Sequence, residues 1–136
     1  MMTASHIARP IAWLVLLATL SICFPAIADE GDIGYPSVDA ARKALAGRSD
    51  VQMSSENGWI TIEDPAAMTL WTFAPDTDPA HPAAIKRTVV QDGERVVIRM
   101  DIRCEGDLNA CDALEEHFLN LNQAVRDQVE DTEEQP

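Results

Sequence analysis

Two segments of the chain repeat their hydrophobic residues at the spacing of an α-helix. After Ser37, which is suited to cap a helix, apolar residues three or four positions apart predict a helix over Val38–Ala46. From about Asn109 the same period returns and predicts a second, amphipathic helix. Its apolar stripe consists of Cys111, Leu114, Phe118, Leu121 and Val125.

Between these segments the hydrophobic period shortens to two, as in β-strands. The pairs Asn57-Gly58 and Asp92-Gly93 are hairpin signals, because both tolerate positive φ. Five strands are predicted, at residues 51–55, 59–63, 68–74, 84–90 and 95–104. A run of strands between two helices is typical of the α+β class, and we expect a two-layer sandwich with both helices on one face of an antiparallel sheet.

The predicted domain covers residues 37–130. Residues 29–36 are polar and glycine-containing, and we expect a flexible segment there. Residues 131–136 are mostly acidic and predict a solvated tail.

The first 28 residues have the pattern of a secretory signal peptide. Arg9 precedes an uncharged apolar run, Ile11–Ile22, of about a dozen residues, whereas a membrane-spanning helix needs about twenty. Ala26-Ile27-Ala28 has the small-x-small form of a cleavage site. The alternative is a lipoprotein anchored at Cys23, which is less favoured because Ile22 is not the small residue that such signals place before the cysteine.

The charge of the chain is strongly acidic, with ten basic and 23 acidic residues and a formal net charge of −13. Arg9 is the only formal charge in residues 1–28, so cleavage leaves nine basic against 23 acidic residues, or −14. This charge disfavours nucleic acid and anionic lipid as partners and favours cationic proteins. The sequence predicts no transmembrane segment after cleavage, no cofactor and no metal site, and it leaves the oligomeric state open.

Two cysteines, Cys104 and Cys111, would remain after removal of the signal peptide. In an exported protein such a pair favours a structural disulfide, which here would join the last strand to the last helix. A redox pair is usually closer in sequence, as in Cys-x-x-Cys. A metal site would also need His117, which would project about 120° away from Cys111 on a helix.

The aromatic and basic residues suggest a binding surface. If Ile60 and Ile62 point inward in their strand, alternation turns Trp59 outward. If Met68 and Leu70 point inward in theirs, Trp71 and Phe73 point outward, on the face of the sheet without helices. Large aromatics beside arginines are typical of interface hot spots. The predicted binding residues are Trp59, Trp71, Phe73, Arg87, Arg99 and Arg103.

Two interpretations of that surface remain open. The face could bind a second copy of the chain, another protein or an anionic envelope component, and an anionic partner is slightly favoured because five of the nine basic residues after position 28 lie between Lys86 and Arg103. Alternatively, arginine stems could simply cover the aromatic rings on a solvated sheet.

A hydrolase is the alternative function. His81 could act as a general base oriented by Asp78, since both residues lie in one proline-rich loop. No serine or cysteine nucleophile has a recognisable setting nearby, so the sequence predicts no catalytic residue and favours a binding module.

Four segments carry a resemblance: GYPSVDAARKALAG, GWITIEDPAAMTLWTFAP, HPAAIKRTVV and CDALEEHF. Together they resemble a group of small exported proteobacterial proteins of uncharacterised function, over Tyr35 to about Asn122. The resemblance implies a periplasmic location and no assigned catalytic residue. Some of these proteins carry an automatic label as the chaperone DnaJ, but a J domain needs His-Pro-Asp between two helices, and this chain has His81-Pro82-Ala83 between predicted strands.

Overall fold

The computed structural model describes residues 31–133, and its elements follow the predicted order of helix, five antiparallel strands and helix. The predicted α+β class is confirmed. The predicted signal peptide and the alternative anchor at Cys23 lie outside the described residues. The elements are α1 (Val38–Ala46), β1 (Gln52–Glu56), β2 (Trp59–Asp64), β3 (Thr69–Phe73), β4 (Ala83–Asp92), β5 (Arg95–Cys104) and α2 (Leu108–Glu133).

The sheet is a meander in which each strand pairs with the next strand along the chain, from β1 at one edge to β5 at the other. Asn57 and Gly58 have φ values of 52° and 84°, and Gly93 has a φ of 62°. Positive φ at both residues of a two-residue turn matches the twist of the strands that it joins, and Asn-Gly adopts it at low steric cost. The β1–β2 hairpin therefore forms at the predicted position. The β4–β5 hairpin turns through Gly93 and Glu94, since Asp92 pairs with Arg95, and positive φ at the first of these two residues alone is the pattern of a turn that requires glycine there.

The first helix packs on one face of the sheet through a compact hydrophobic cluster. Ser37 caps α1 by accepting a hydrogen bond from the Ala40 amide at 3.1 Å. The cluster joins residues of α1 and its preceding segment to residues of β2, β3 and β4. Its buried members are Ile33, Val38, Ala41, Leu45, Ile62, Trp71, Phe73 and Ala84.

The second helix packs on the opposite face. Leu114 and Phe118 of α2 share a second cluster with Ala83 and Ile85 of β4. These two alternate along β4 with Ala84, which belongs to the first cluster, and successive strand residues point to opposite faces. The expected placement of both helices on one face is therefore wrong: the sheet lies between the helices in a three-layer arrangement. We call the side of the sheet that α1 covers the α1 face, and the side that α2 covers the α2 face.

Apolar contacts and a helix extend into the segments on either side of the core of the domain. Ile33 is 1% exposed, and Tyr35 packs edge-on against Trp71, with ring centroids 5.8 Å apart. The described part of the segment predicted to be flexible is thus held by apolar contacts. At the other end α2 continues to Glu133, so the first residues of the predicted tail are helical. Among residues 31–133, neither helix combines the length and apolar composition needed to cross a membrane.

An ion pair connects the end of α1 to the sheet. The Arg48 guanidinium donates to Asp64 Oδ2 at 2.5 Å and to Asp50 Oδ2 at 2.7 Å. The Asp64 side chain is 6% exposed, and its Oδ1 accepts a hydrogen bond from the Ala67 amide. Hydrogen bonding to Arg48 holds the pKa of the Asp64 carboxyl below its usual value.

The corner between β5 and α2 is fixed covalently and by hydrogen bonds. Cys104 and Cys111 form the predicted disulfide, with Cα atoms 5.8 Å apart. The amides of Glu105 and Asp107 donate to the carbonyls of Pro82 and Pro79 at 2.7 and 2.9 Å. Between them, Gly106 comes so close to the neighbouring loop that a Cβ atom there would overlap the backbone of Ala80. The corner therefore positions the loop between β3 and β4.

Candidate functional site

The structure divides the six predicted binding residues between the two faces of the sheet. Trp71 and Phe73 lie on the α1 face, directly opposite Ile62 and Ile60 of β2. Arg99 and Arg103 share that face, because Arg103 pairs with Ala84 and Arg99 lies four residues before it on β5. Trp59 and Arg87 point to the α2 face. The single aromatic and cationic face that the sequence predicts is therefore not formed.

Trp71 and Phe73 belong to the core. They are 4% and 2% exposed, and their rings are stacked with centroids 6.2 Å apart and an interplanar angle of 7°. Lys86 Nζ lies 5.5 Å from the Trp71 ring centroid, within the range of a cation–π interaction. The prediction that these two aromatics form an open binding surface is wrong: α1 and its preceding segment cover them.

Arg103 also has a structural partner. Its Nε donates to Glu105 Oε1 at 2.8 Å, and the same carboxylate oxygen accepts from the Val38 amide at 3.3 Å. This network ties the end of β5 to the start of α1. Arg99 is exposed on the edge strand, and among residues 31–133 it has no salt bridge.

Arg87 lies on the α2 face beside the helix. The carbon of its guanidinium is 5.3 Å from the Phe118 ring centroid, and burial lowers the pKa of the group. Two buried side-chain atoms of this region, Arg87 Nε and Asn122 Oδ1, have no hydrogen-bond partner within the described part of the chain. Asn122 Nδ2 contacts Met100 Sδ at 3.3 Å, and Met100 is the cross-strand partner of Arg87.

An open groove lies on the α2 face between the sheet and the first half of α2. It has a volume of about 490 Å³. Trp59 reaches it because the Asn57-Gly58 turn starts β2 at this end of the sheet. Most of its lining residues are apolar. They are Trp59, Thr72, Asp78, Pro79, Ala110, Ala113, Leu114, His117 and Phe118. We call this site the Trp59 groove.

Two titratable side chains line the Trp59 groove. Asp78 comes from the loop between β3 and β4, and its Oδ1 accepts a hydrogen bond from the Ala80 amide at 2.8 Å. His117 comes from the exposed side of α2, with its ring edge-on to Phe118 at a centroid distance of 5.3 Å. The groove can therefore accept an apolar group at its floor and a polar or cationic group near Asp78.

The geometry of His81 differs from that of an oriented general base. His81 is exposed, and its backbone amide, not its imidazole, donates to the Asp78 carbonyl at 2.9 Å. The Asp78 carboxylate is engaged with Ala80, so among the described residues no side-chain hydrogen bond orients the His81 ring.

Sequence reasoning identified Trp59 but missed the residues that complete its groove. His117 follows Leu114 of the apolar stripe by three positions, so it lies beside the stripe on a helix. That spacing is the one local signal that could have placed His117 near an apolar site. Asp78 joins the groove only because the β5–α2 corner holds its loop against the helix.

Comparison of the chain with protein-family models, with curated proteins and with solved structures finds no match.

Proposed function

We propose that this protein is an exported binding module that recognises a protein or envelope component by accepting an apolar side chain in the Trp59 groove. The observation that carries the proposal is an open, mostly apolar groove with an aromatic wall, positioned by a rigid corner. Grooves of this kind, with a few polar groups at defined positions, are where proteins bind small groups and anchor side chains.

The disulfide supports export, since such bonds persist in oxidising compartments. The resemblance to exported proteobacterial proteins makes the periplasm the proposed location.

The chemistry of the groove favours a cationic partner over an anionic one. Asp78 lines the groove, whereas Arg99 and Arg103 lie on the other face of the sheet. The net charge of −13 adds long-range attraction for basic partners. The partner segment that fits best presents an apolar side chain next to a lysine or arginine.

Site-specific photo-crosslinking in the native cell tests this proposal. A benzoylphenylalanine at Ala113, an exposed position of α2 that lines the groove, should capture a discrete partner. The matched control is Ala44, an exposed alanine of α1 on the other side of the sheet, which should capture none. Adding Trp59→Ala to the Ala113 probe should reduce capture at least about tenfold, as expected for removal of an interface anchor.

Equal capture from both positions would count against a specific groove. Capture at Ala113 that persists unchanged in the Trp59→Ala protein would show that the tryptophan is not part of the recognition site.

A further inference from the structure

The strand β5 forms one edge of the sheet, and half of its backbone groups point away from β4. The Ala83 carbonyl accepts from the Ala74 amide at 3.1 Å, so odd-numbered residues of β4 bond to β3 and even-numbered ones bond to β5. Each even-numbered residue of β4 lies opposite an odd-numbered residue of β5. The backbone N–H and C=O groups of Met100 and Ile102 therefore point outward, and among residues 31–133 no hydrogen bond is made to them.

A groove lies along this edge, between β5 and one flank of α2. It has a volume of about 520 Å³, within the usual range for ligand sites. We call it the edge groove; it is lined by Met100, Ile102 and Cys104 of β5 and by Asp112 and Glu115 of α2. The two β5 residues with outward backbone groups described above thus lie in the groove itself.

The edge groove and the Trp59 groove lie on opposite flanks of α2. At 100° per residue, Glu115 lies about 100° around the helix from Leu114, whereas His117 lies about 60° away in the other direction. Leu114 packs on the sheet between them. The two grooves are therefore separate sites.

The two sides of the edge groove differ in charge. On the α2 side, Asp112 and Glu115 are exposed and form no salt bridge with a described residue. On the α1 side, Arg99 and Asp101 also line the groove, and their charges are opposite. A strand that pairs with β5 turns alternate side chains to these two sides. It is complementary when its side chains toward α2 are basic and the others are uncharged.

Two occupants from this chain fit the charge less well. Gly31 lines the edge groove, but the residues before it in the sequence, Asp29 and Glu30, are acidic. A second copy would pair β5 with β5 around a twofold axis, and its own Asp112 and Glu115 would lie on the same side of the joined sheet. Like charges would then meet, which disfavours both occupants.

We propose that the edge groove binds an extended, basic segment of another protein as an additional strand antiparallel to β5. Main-chain hydrogen bonds to the sheet edge supply affinity in this mode of recognition, and alternate side chains supply specificity. Residues opposite Met100 and Ile102 would exchange both hydrogen bonds with them and turn their side chains toward α2. The basic residues are therefore the ones that bond to β5. This inference does not rest on the proposed function of the Trp59 groove.

Fluorescence anisotropy with a labelled synthetic peptide of alternating lysine and threonine tests the proposal, using protein purified from the cell that exports it. The peptide should bind, and the same peptide with glutamate in place of lysine should not. Methylation of the lysine backbone nitrogens should abolish binding, because it removes the donors that face β5. The matched control is methylation of the threonine backbone nitrogens, which point away from β5, and it should have little effect.

Loss of the acidic side chains tests the choice of partner. The double variant Asp112→Asn, Glu115→Gln should bind the lysine peptide about three- to tenfold more weakly, as expected for two solvent-exposed charge contacts. The matched control is Glu116→Gln, Glu130→Gln, which removes the same charge from exposed positions of α2 outside the groove, and it should bind like the wild type. Circular dichroism of both variants checks that the helix content is kept.

Amide hydrogen exchange measured by NMR places the peptide on the edge. Addition of the lysine peptide should slow exchange at the amides of Met100 and Ile102, which gain hydrogen-bond acceptors. The amides of β1, the other edge strand, should exchange at an unchanged rate.

Four results would overturn the proposal. The first is a lysine peptide that does not bind, and the second is equal binding after methylation of its lysine nitrogens. The third is equal loss of binding in the two double variants. The fourth is slow exchange at Met100 and Ile102 without peptide: at every protein concentration it would assign the edge to a segment of the same chain, and only at high concentration to a second copy. Photo-crosslinking from Ala113, on the other flank of α2, is unaffected by each result, so the two proposals fail independently.

Discussion

Trp59 and Trp71 lie on neighbouring strands but on opposite faces of the sheet, and their environments give them different roles. Trp71 is enclosed by α1, Tyr35 and Phe73. Trp59 is half-buried and forms a wall of an open groove. The first holds the α1 layer, and the second lines the groove of the proposed binding site.

Truncation of each tryptophan distinguishes these roles. Trp71→Ala should lower the free energy of unfolding by about 3–5 kcal/mol, because it removes a large buried ring and leaves a cavity. Trp59→Ala should cost less, about 1–2 kcal/mol, since part of that residue is exposed in the groove. Urea denaturation followed by circular dichroism measures both values. Similar losses for the two variants would mean that Trp59 is as much a part of the core as Trp71.

The buried carboxylate of Asp64 connects the stability of the fold to pH. Arg48 depresses the pKa of Asp64 below the usual value of 3.8. A group whose pKa is lower in the folded state binds protons more tightly when unfolded, so it stabilises the fold above the unfolded pKa and loses this contribution as pH falls through the folded pKa. The ion pair therefore contributes at neutral pH and is lost in acid.

Asp64→Asn should lower the melting temperature at pH 7 and make stability less dependent on pH below about 4, because the titrating group is gone. Melting curves from pH 7 to pH 2 would show both effects. The control is Asp76→Asn, at an exposed loop position that forms no salt bridge among the described residues, and its pH profile should follow the wild type. An Asp64→Asn profile as steep as the wild type would assign the acid sensitivity to other carboxylates.

At the scale of secondary-structure elements, the disulfide is the main local constraint. It closes a short loop between Cys104 at the end of β5 and Cys111 in the first turns of α2. The loop in turn holds the segment that carries Asp78 and Pro79 to the groove.

Replacing both cysteines with alanine should lower the free energy of unfolding by about 2–3 kcal/mol, the loop-closure entropy expected for a ring of this size. Chemical denaturation of the oxidised wild type and the double variant gives the difference. A second double variant, with serine at both positions, is the matched control: it also removes the disulfide, but its side chains are closer in size to cysteine than alanine is. A difference near zero would mean that the hydrogen bonds of the corner suffice to hold it.

The bounds of the elements could be predicted well because each has a local signal. The spacing of apolar residues and the cap at Ser37 place α1, and Asn57-Gly58 and Asp92-Gly93 place two hairpins. The orientation of β3 could not be predicted in this way. Its residues Thr69, Trp71, Thr72 and Phe73 are all buried, so alternation does not indicate which side faces which helix.

The Trp59 groove was beyond prediction for a related reason. Its walls come from the start of β2, the loop after β3 and the first half of α2. Their proximity depends on α2 lying on the face opposite α1, and no periodicity in one segment specifies on which side a distant helix packs.

At the scale of the whole molecule, the agreement between strand order and chain order has a kinetic consequence. Each strand pairs only with its immediate predecessor and successor, so every strand pairing closes a short loop. Such topologies fold rapidly, because little chain entropy is lost before each contact forms. A chain of this topology that is synthesised amino end first can add one strand at a time to a growing edge. Only the α2 face must wait for the last helix, and until then its apolar residues are open to chaperones and to aggregation.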